Sequence, residues 1–185
     1  MCGRFVLRHG EAYLSEPLEI TAMRPGLIPR FNIAPTQAAP VLCMTENAPG
    51  PNLRVLRWGL IPPWAKTERI GARLINARAE TAAEKPSYRV PLRKRRCLVP
   101  SNGFYEWKRE GDRKQPYCIR AVEGSEQEGI FALAGLCESW RGGDESLETF
   151  TILTTTPNNI VAPIHDRMPV IIQPKDYNLW LDPYN

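Results

Sequence analysis

The chain has few of the residues on which the commoner kinds of site chemistry depend. It holds only two histidines, His9 and His165, and its five cysteines (Cys2, Cys43, Cys97, Cys118, Cys137) form an odd set with no C-x-x-C pair. That count and spacing disfavour both a zinc site and a disulfide framework. No metal or other cofactor is expected. No apolar run is long enough to span a bilayer, and the first residues lack an h-region followed by a small-residue cleavage site. We therefore expect a cytoplasmic protein with no membrane partner. Internal repeats, low-complexity tracts, linkers and the βαβ alternation of a Rossmann-type fold are all missing.

What is present points to a single globular unit. A length of 185 residues, 43 % of them hydrophobic and 24 % charged, supports one well-buried core and is short for two. We expect one domain over residues 1–185, acting as a monomer. The formal net charge of +4 suits an anionic partner without identifying one. Eighteen prolines and thirteen glycines are spread along the chain, which disfavours long helices and favours short strands joined by turns.

Taken in order, helix formers over Gly10 to Leu18 end at Pro17, and Met23 to Pro29 reads as loop. Val41–Met44 and Leu53–Leu60 read as the two strands of a hairpin around a turn cluster at Asn47–Asn52. Ile61-Pro62-Pro63-Trp64 breaks the second strand and exposes an aromatic in a loop. From Leu74 a short β-like entry passes into helix formers that reach Glu84, with Asn76 as the N-cap. Strands are expected at Cys97–Pro100, Gly103–Lys108 and Gln115–Arg120, the last two joined by a turn at Glu110-Gly111-Asp112. Ile130–Cys137 is continuously apolar, as in a strand buried on both faces, and Phe150–Thr156 is its β-branched partner. A short helix or turn over Pro157–Ile164, a strand at Val170–Ile172 and a final helix over Asp176–Leu181 complete the reading. The fold class is α+β: a curved, mostly antiparallel sheet forming a barrel-like core, with short helices.

Several residues could carry chemistry. Removal of Met1, which a small side chain at position two permits, gives Cys2 a free α-amine and a thiol on adjacent carbons. An aldehyde condenses with such an amine to a Schiff base, and the thiol then closes a thiazolidine ring on the same carbon. The amine titrates near ~7.7 to 8.0 and a free thiol near ~8.5, so both reactive forms exist at neutral pH. The plain alternative is that Cys2 is a small packing residue. Glu106, flanked by Phe104, Tyr105 and Trp107, is either a desolvated general acid or base or an outward-facing carboxylate on an edge strand. His165, beside Asp166 and Arg167, shuttles protons, hydrogen-bonds a sugar oxygen or serves structurally; His9 reads as surface. Arg4, Arg78 and Arg167 each adjoin one of Cys2, Asn76 and His165, so convergence of those three would gather a cationic rim for phosphates. Trp64 and Trp107 offer stacking faces for unpaired bases, or packing. The run Arg93-Lys94-Arg95-Arg96 reads as a solvated face outside the site.

Four segments, Met1-Cys2-Gly3-Arg4-Phe5, Asn76-Ala77-Arg78-Ala79-Glu80-Thr81, Gly103-Phe104-Tyr105-Glu106-Trp107 and His165-Asp166-Arg167-Met168-Pro169, closely resemble the motifs of the SRAP (SOS response-associated peptidase) family. Phe31-Asn32-Ile33-Ala34-Pro35 and Trp58-Gly59-Leu60-Ile61-Pro62 are similar to its signature too, so the resemblance runs from Met1 to about Trp180. It implies a covalent sensor whose partner is single-stranded DNA containing abasic sites, built on a curved antiparallel β core. It implies that Cys2 captures the ring-opened deoxyribose aldehyde as a thiazolidine, with Asn76 positioning the N-terminus and the sugar. By the same resemblance Glu106 transfers protons and His165 assists opening of the sugar ring. It further implies phosphate contacts from Arg4, Arg78 and Arg167 and a DNA groove lined by Asn32, Pro35, Trp64, Trp107 and Thr154, with Lys85 as a looser match. Two departures stand out: Asn102 precedes Gly103 where many members have Asp, and the chain ends at Asn185 where members commonly continue past the final helix. Two other readings of the same residues stay open. One is a cysteine-type peptidase, acting at most on its own N-terminus, in which Cys2 attacks an amide with Glu106 or His165 as base. The other is a non-covalent binding module for single strands or modified bases.

Overall fold

A computed structural model describes residues 2–8, 28–44, 50–121 and 129–185. The helix expected over Gly10–Leu18, His9, the loop up to residue 27 and residues 47–49 of the turn cluster lie outside them. Strands are numbered along the described residues. At the centre a sheet closes on itself: β10 (Glu145–Thr155), β4 (Asn52–Trp58), β3 (Ala38–Cys43), β6 (Arg96–Ser101) and β9 (Phe131–Gly142) pair in that order, and β9 returns to β10. Closure leaves no unpaired edge within the ring. The expected α+β class with a curved, barrel-like and mostly antiparallel core holds, including the β3–β4 hairpin. The parallel pairings are those of β10 with β4 and with β5 (Asn76–Arg78).

The continuous apolar run in β9 is explained by what covers its two faces. Leu133 joins the main core, while Ala134 and Leu136 join a second cluster with Leu60, Ala77, Ala82 and Tyr88. A further sheet, ordered β2 (Arg30–Ile33), β1 (Arg4–Leu7), β7 (Gly103–Glu110) and β8 (Arg113–Ile119), packs against the barrel. The link is aromatic. Phe5 of β1 meets Trp58 edge-on at 5.3 Å, and Trp58 stacks on Phe150 of β10 at 6.3 Å, all three fully buried.

Trp58 also donates its Nε1–H to the Ile75 carbonyl at 2.8 Å, one residue before β5. Removing that side chain empties a large hole and leaves a buried acceptor unpaired, so Trp58→Ala is expected to cost about 3–5 kcal/mol. Chemical denaturation would register this as a lower midpoint at unchanged slope. The next residue, Gly59, has φ +125°, and a Cβ there would lie 2.5 Å from the Gly71 carbonyl oxygen. Only glycine fits that backbone-to-backbone approach.

Two local expectations need correction. Asn76 does not cap a helix: it sits in β5 opposite Ile152 of β10, and the short helix Ala79–Ala82 starts after Arg78 with no side-chain cap. Pairing with β10 holds residues 76–78 extended, and tertiary hydrogen bonds outweigh local capping preference. The basic run is also only partly solvated. Arg93 and Lys94 are exposed at the end of the helix Arg89–Lys94, but Arg95 pairs with the buried Glu138 at 2.5 Å. Arg96 donates to the Trp180, Leu92 and Asp182 carbonyls and lies over the Trp180 ring at 5.6 Å. It therefore ties the final helix, Tyr177–Leu181, to β6. No described helix is long and apolar enough to cross a membrane.

Candidate active site

The sheet register explains why four distant segments meet. In β7, Phe104 faces the core, so period-two alternation puts Glu106 on the same inner face, where it is 1 % exposed. The outward-facing alternative for Glu106 is thereby excluded. Arg4 of β1 lies opposite Tyr105, so the residues before β1 run alongside Glu106. From the other side, β5 brings Asn76 to the site, and its Nδ2 donates to the Cys2 carbonyl at 2.9 Å. The Asn76 Oδ1 is buried and accepts no hydrogen bond among the described residues. His165 follows the turn over residues 161–164, to which its N–H bonds through the Val161 carbonyl, and its Nε2 stands 3.9 Å from Glu106 Oε2.

The electrostatics revise one expectation. Burial, reinforced by the charge of Glu106, pushes the Cys2 thiol up to about 12, far from the ~8.5 of a free thiol. The side chain is fully buried and is held as S–H, donating to the Arg4 carbonyl at 3.9 Å. Burial likewise raises Glu106 above the ordinary carboxylate range. A raised acid beside a raised thiol is a proton-exchange pair.

His165 Nδ1 accepts the backbone N–H of Arg167 at 3.0 Å, and Asp166 Oδ1 lies 2.9 Å from the same nitrogen. The two contacts demand opposite protonation of Nδ1. The amide is fixed by the loop backbone, whereas the Asp166 side chain is 87 % exposed and solvent-screened, so the amide decides. In the neutral ring this contact places the proton on Nε2, the nitrogen 3.9 Å from Glu106.

The expected open rim of arginines meets a different arrangement. Arg4 is half-buried and donates to the Asn32 side chain at 3.0 Å, and Arg78 is exposed beside Thr154 in the β5–β10 register. Arg167 is engaged: its two Nη atoms grip Glu80 at 2.9 and 2.8 Å, and Nη2 also donates to the Thr154 carbonyl at 2.6 Å. Arg167 holds Glu80 down at about 2, so the pair's stabilisation is present above the ordinary carboxylate range and is lost as pH falls from ~4.3 towards that value. Thr154 itself is buried, its hydroxyl donating to the Ala77 carbonyl at 3.4 Å. Trp64 is 59 % exposed, Trp107 and Pro35 are half-buried, and Lys85 is exposed after the Ala79–Ala82 helix. The Trp107 backbone amide donates to the Glu106 carboxylate.

Matching this geometry, the sequence signature described as SOS response associated peptidase (SRAP) fits residues 1–185. The chain belongs to the SRAP family. Among relatives of this SRAP chain, abasic site processing protein YoqW of Bacillus subtilis is 44 % identical over 189 residues, covering 100 % of this chain and 82 % of the relative. Abasic site processing protein YedK of Escherichia coli is 33 % identical, covering 98 % and 79 %. A crystal structure of a protein from Bacteroides thetaiotaomicron superposes with a TM-score of 0.74 at 36 % identity, over 83 % of this chain and 67 % of that one.

Two residues near the SRAP site escaped the sequence reading. Tyr88, held neutral at about 12 by burial, donates its hydroxyl to the Asn76 carbonyl at 3.2 Å. Nothing in its neighbourhood in the sequence signals this, because the contact is made across a helical turn. Glu80 could have been found: it is the acidic residue inside the Asn76–Thr81 motif.

Proposed function

We propose that this protein recognises abasic sites in single-stranded DNA and captures them covalently through Cys2 once Met1 is removed. The observation that carries the proposal is the meeting of Cys2, Asn76, Glu106 and His165 around one buried point. The abasic-site processing named for relatives that span the whole chain supports the substrate.

The reaction follows from the groups. The α-amine of Cys2 adds to the aldehyde carbon of the ring-opened sugar, giving a carbinolamine. Glu106, its proton affinity raised by burial, gives a proton to the carbinolamine hydroxyl, which leaves as water and yields an iminium ion. The Glu106 carboxylate then takes the Cys2 thiol proton as Sγ closes on the same carbon. The product is a thiazolidine, and the sum of the steps releases one water. Asn76, bonded to the Cys2 carbonyl, fixes the amine's approach, and its unused Oδ1 is an acceptor for the amine or a sugar hydroxyl. His165 Nε2–H serves the ring oxygen as the sugar opens.

A thiol pushed to about 12 is poorly suited to attack an amide, because peptidase chemistry needs a thiolate. An iminium carbon is a much stronger electrophile, and a thiol deprotonated in the act by Glu106 suffices. The test is incubation with an abasic oligonucleotide, with and without prior capping of its aldehyde by an alkoxyamine. A denaturation-resistant species is expected only with the free aldehyde. Equal yields from capped and uncapped DNA, or none from either, would remove the proposal.

A further inference from the structure

Glu80 has no place in the chemistry above, yet it makes the tightest side-chain clamp near the site. Its carboxylate takes both Nη atoms of Arg167 in the fork-to-fork geometry of strong charge-assisted pairs. Arg167 is 14 % exposed, and its Nη2 makes a further bond to the Thr154 carbonyl. Its Nε is buried and donates to nothing among the described residues. Little of this guanidinium is left for a phosphate. Its main chain, however, is busy: the Arg167 N–H is the donor that sets the ring of His165.

We infer that Glu80 is a positioning residue: by anchoring the Arg167 side chain it fixes the Arg167 amide against His165 Nδ1 and so keeps Nε2–H directed at Glu106. The chain of contacts is Glu80 to Arg167, Arg167 N–H to His165 Nδ1, and His165 Nε2 to Glu106. The charged groups around the imidazole are Glu106 from β7, Asp166 and Arg167 on its own loop, and Glu80 behind Arg167. Without the clamp, Arg167 can rotate away, its amide drifts, and either nitrogen of His165 can take the proton. The rival arrangement has the opposite sign. There Glu80 occupies Arg167 as a stand-in for a DNA phosphate and weakens binding until displaced.

The inference rests on the proposed function for its catalytic consequence but not for its structural core, so the test has two arms. In the first, ¹⁵N NMR of the DNA-free protein reads the His165 ring. The expected signals are an unprotonated Nδ1 and a protonated Nε2 in the wild type, giving way to a mixture of tautomers in Glu80→Gln. An Nδ1-protonated ring in the wild type, or identical ring signals in a folded Glu80→Gln, would overturn the inference. In the second, adduct formation is timed with saturating abasic oligonucleotide. Glu80→Gln is expected to be slower by up to about 100-fold with DNA affinity unchanged and a shifted pH profile. Tighter binding by Glu80→Gln, or an unchanged rate, would overturn it in favour of the phosphate stand-in or of no role. A wild type that forms no adduct removes the proposed function and leaves the first arm standing.

Discussion

Cys2→Ala is expected to form no adduct that survives denaturation, while still forming one that a hydride donor can trap. Alanine is small enough to let Met1 be removed, so the variant keeps the α-amine and loses only the thiol. Its amine still condenses with the sugar aldehyde, but an open Schiff base is hydrolysed in water, and borohydride is needed to fix it. Wild-type protein, closing the ring through Sγ, gives the stable species without reductant. Comparing the two with and without borohydride on a denaturing gel separates the amine's part from the thiol's. A stable, reductant-independent adduct from Cys2→Ala would place the linkage on another residue.

The second large effect is expected at Glu106. Glu106→Gln keeps the shape and a hydrogen-bonding side chain but can neither give nor take a proton. A positioned acid–base group contributes about 10²- to 10⁴-fold to rate, so adduct formation should slow by that order while DNA affinity stays close to wild type. The same substitution should stabilise the fold at neutral pH. Because burial raises Glu106 in the folded protein, the unfolded chain gives up this proton first as pH rises, and wild-type stability falls through the window above the ordinary carboxylate value of ~4.3. Glutamine lacks that penalty. Thermal unfolding across pH 4 to 8 should show the wild type losing ground to Glu106→Gln as pH rises; parallel curves would mean that Glu106 is not raised.

A slower variant that is also more stable is the signature of a carboxylate buried for chemistry. The structure supports the costly group from several directions. Trp58 joins the barrel to β1 through Phe5 and reaches Ile75, next to Asn76, so one core side chain braces both walls of the site. Tyr88 does the same for the Asn76 carbonyl.

The strands were legible because their signals are local. Alternation in Gly103–Lys108, the apolar run of Ile130–Cys137 and its β-branched partner at Phe150–Thr156 each became a strand, and the β9–β10 pairing joins the last two. Closure of the ring was less legible, because the parallel β4–β10 contact joins segments about ninety residues apart with no local mark on either. Asn76 looked like a cap because helix formers follow it; the partner that keeps it extended, Ile152, is distant in sequence. The reactive residues were visible as types in motifs, but which of two environments each occupies was not. A thiol near its free value was expected for Cys2, and full burial beside Glu106 gives the opposite. The pairing of Arg167 with Glu80 likewise depends on β10 and β11 (Met168–Pro169) running antiparallel beside β5, which no local pattern announces.

The claim at the centre is that a terminal aminothiol, freed by loss of Met1, bonds to the sugar aldehyde through both of its atoms. Intact mass spectrometry of the wild-type protein after incubation with an abasic oligonucleotide and denaturation in aqueous acid without reductant, which hydrolyses an open Schiff base, tests it most directly. The account predicts a single new species whose mass is that of the chain without Met1 plus the oligonucleotide, less one water. An adduct on a chain that retains Met1, or no adduct on a chain that has lost it, would contradict the account.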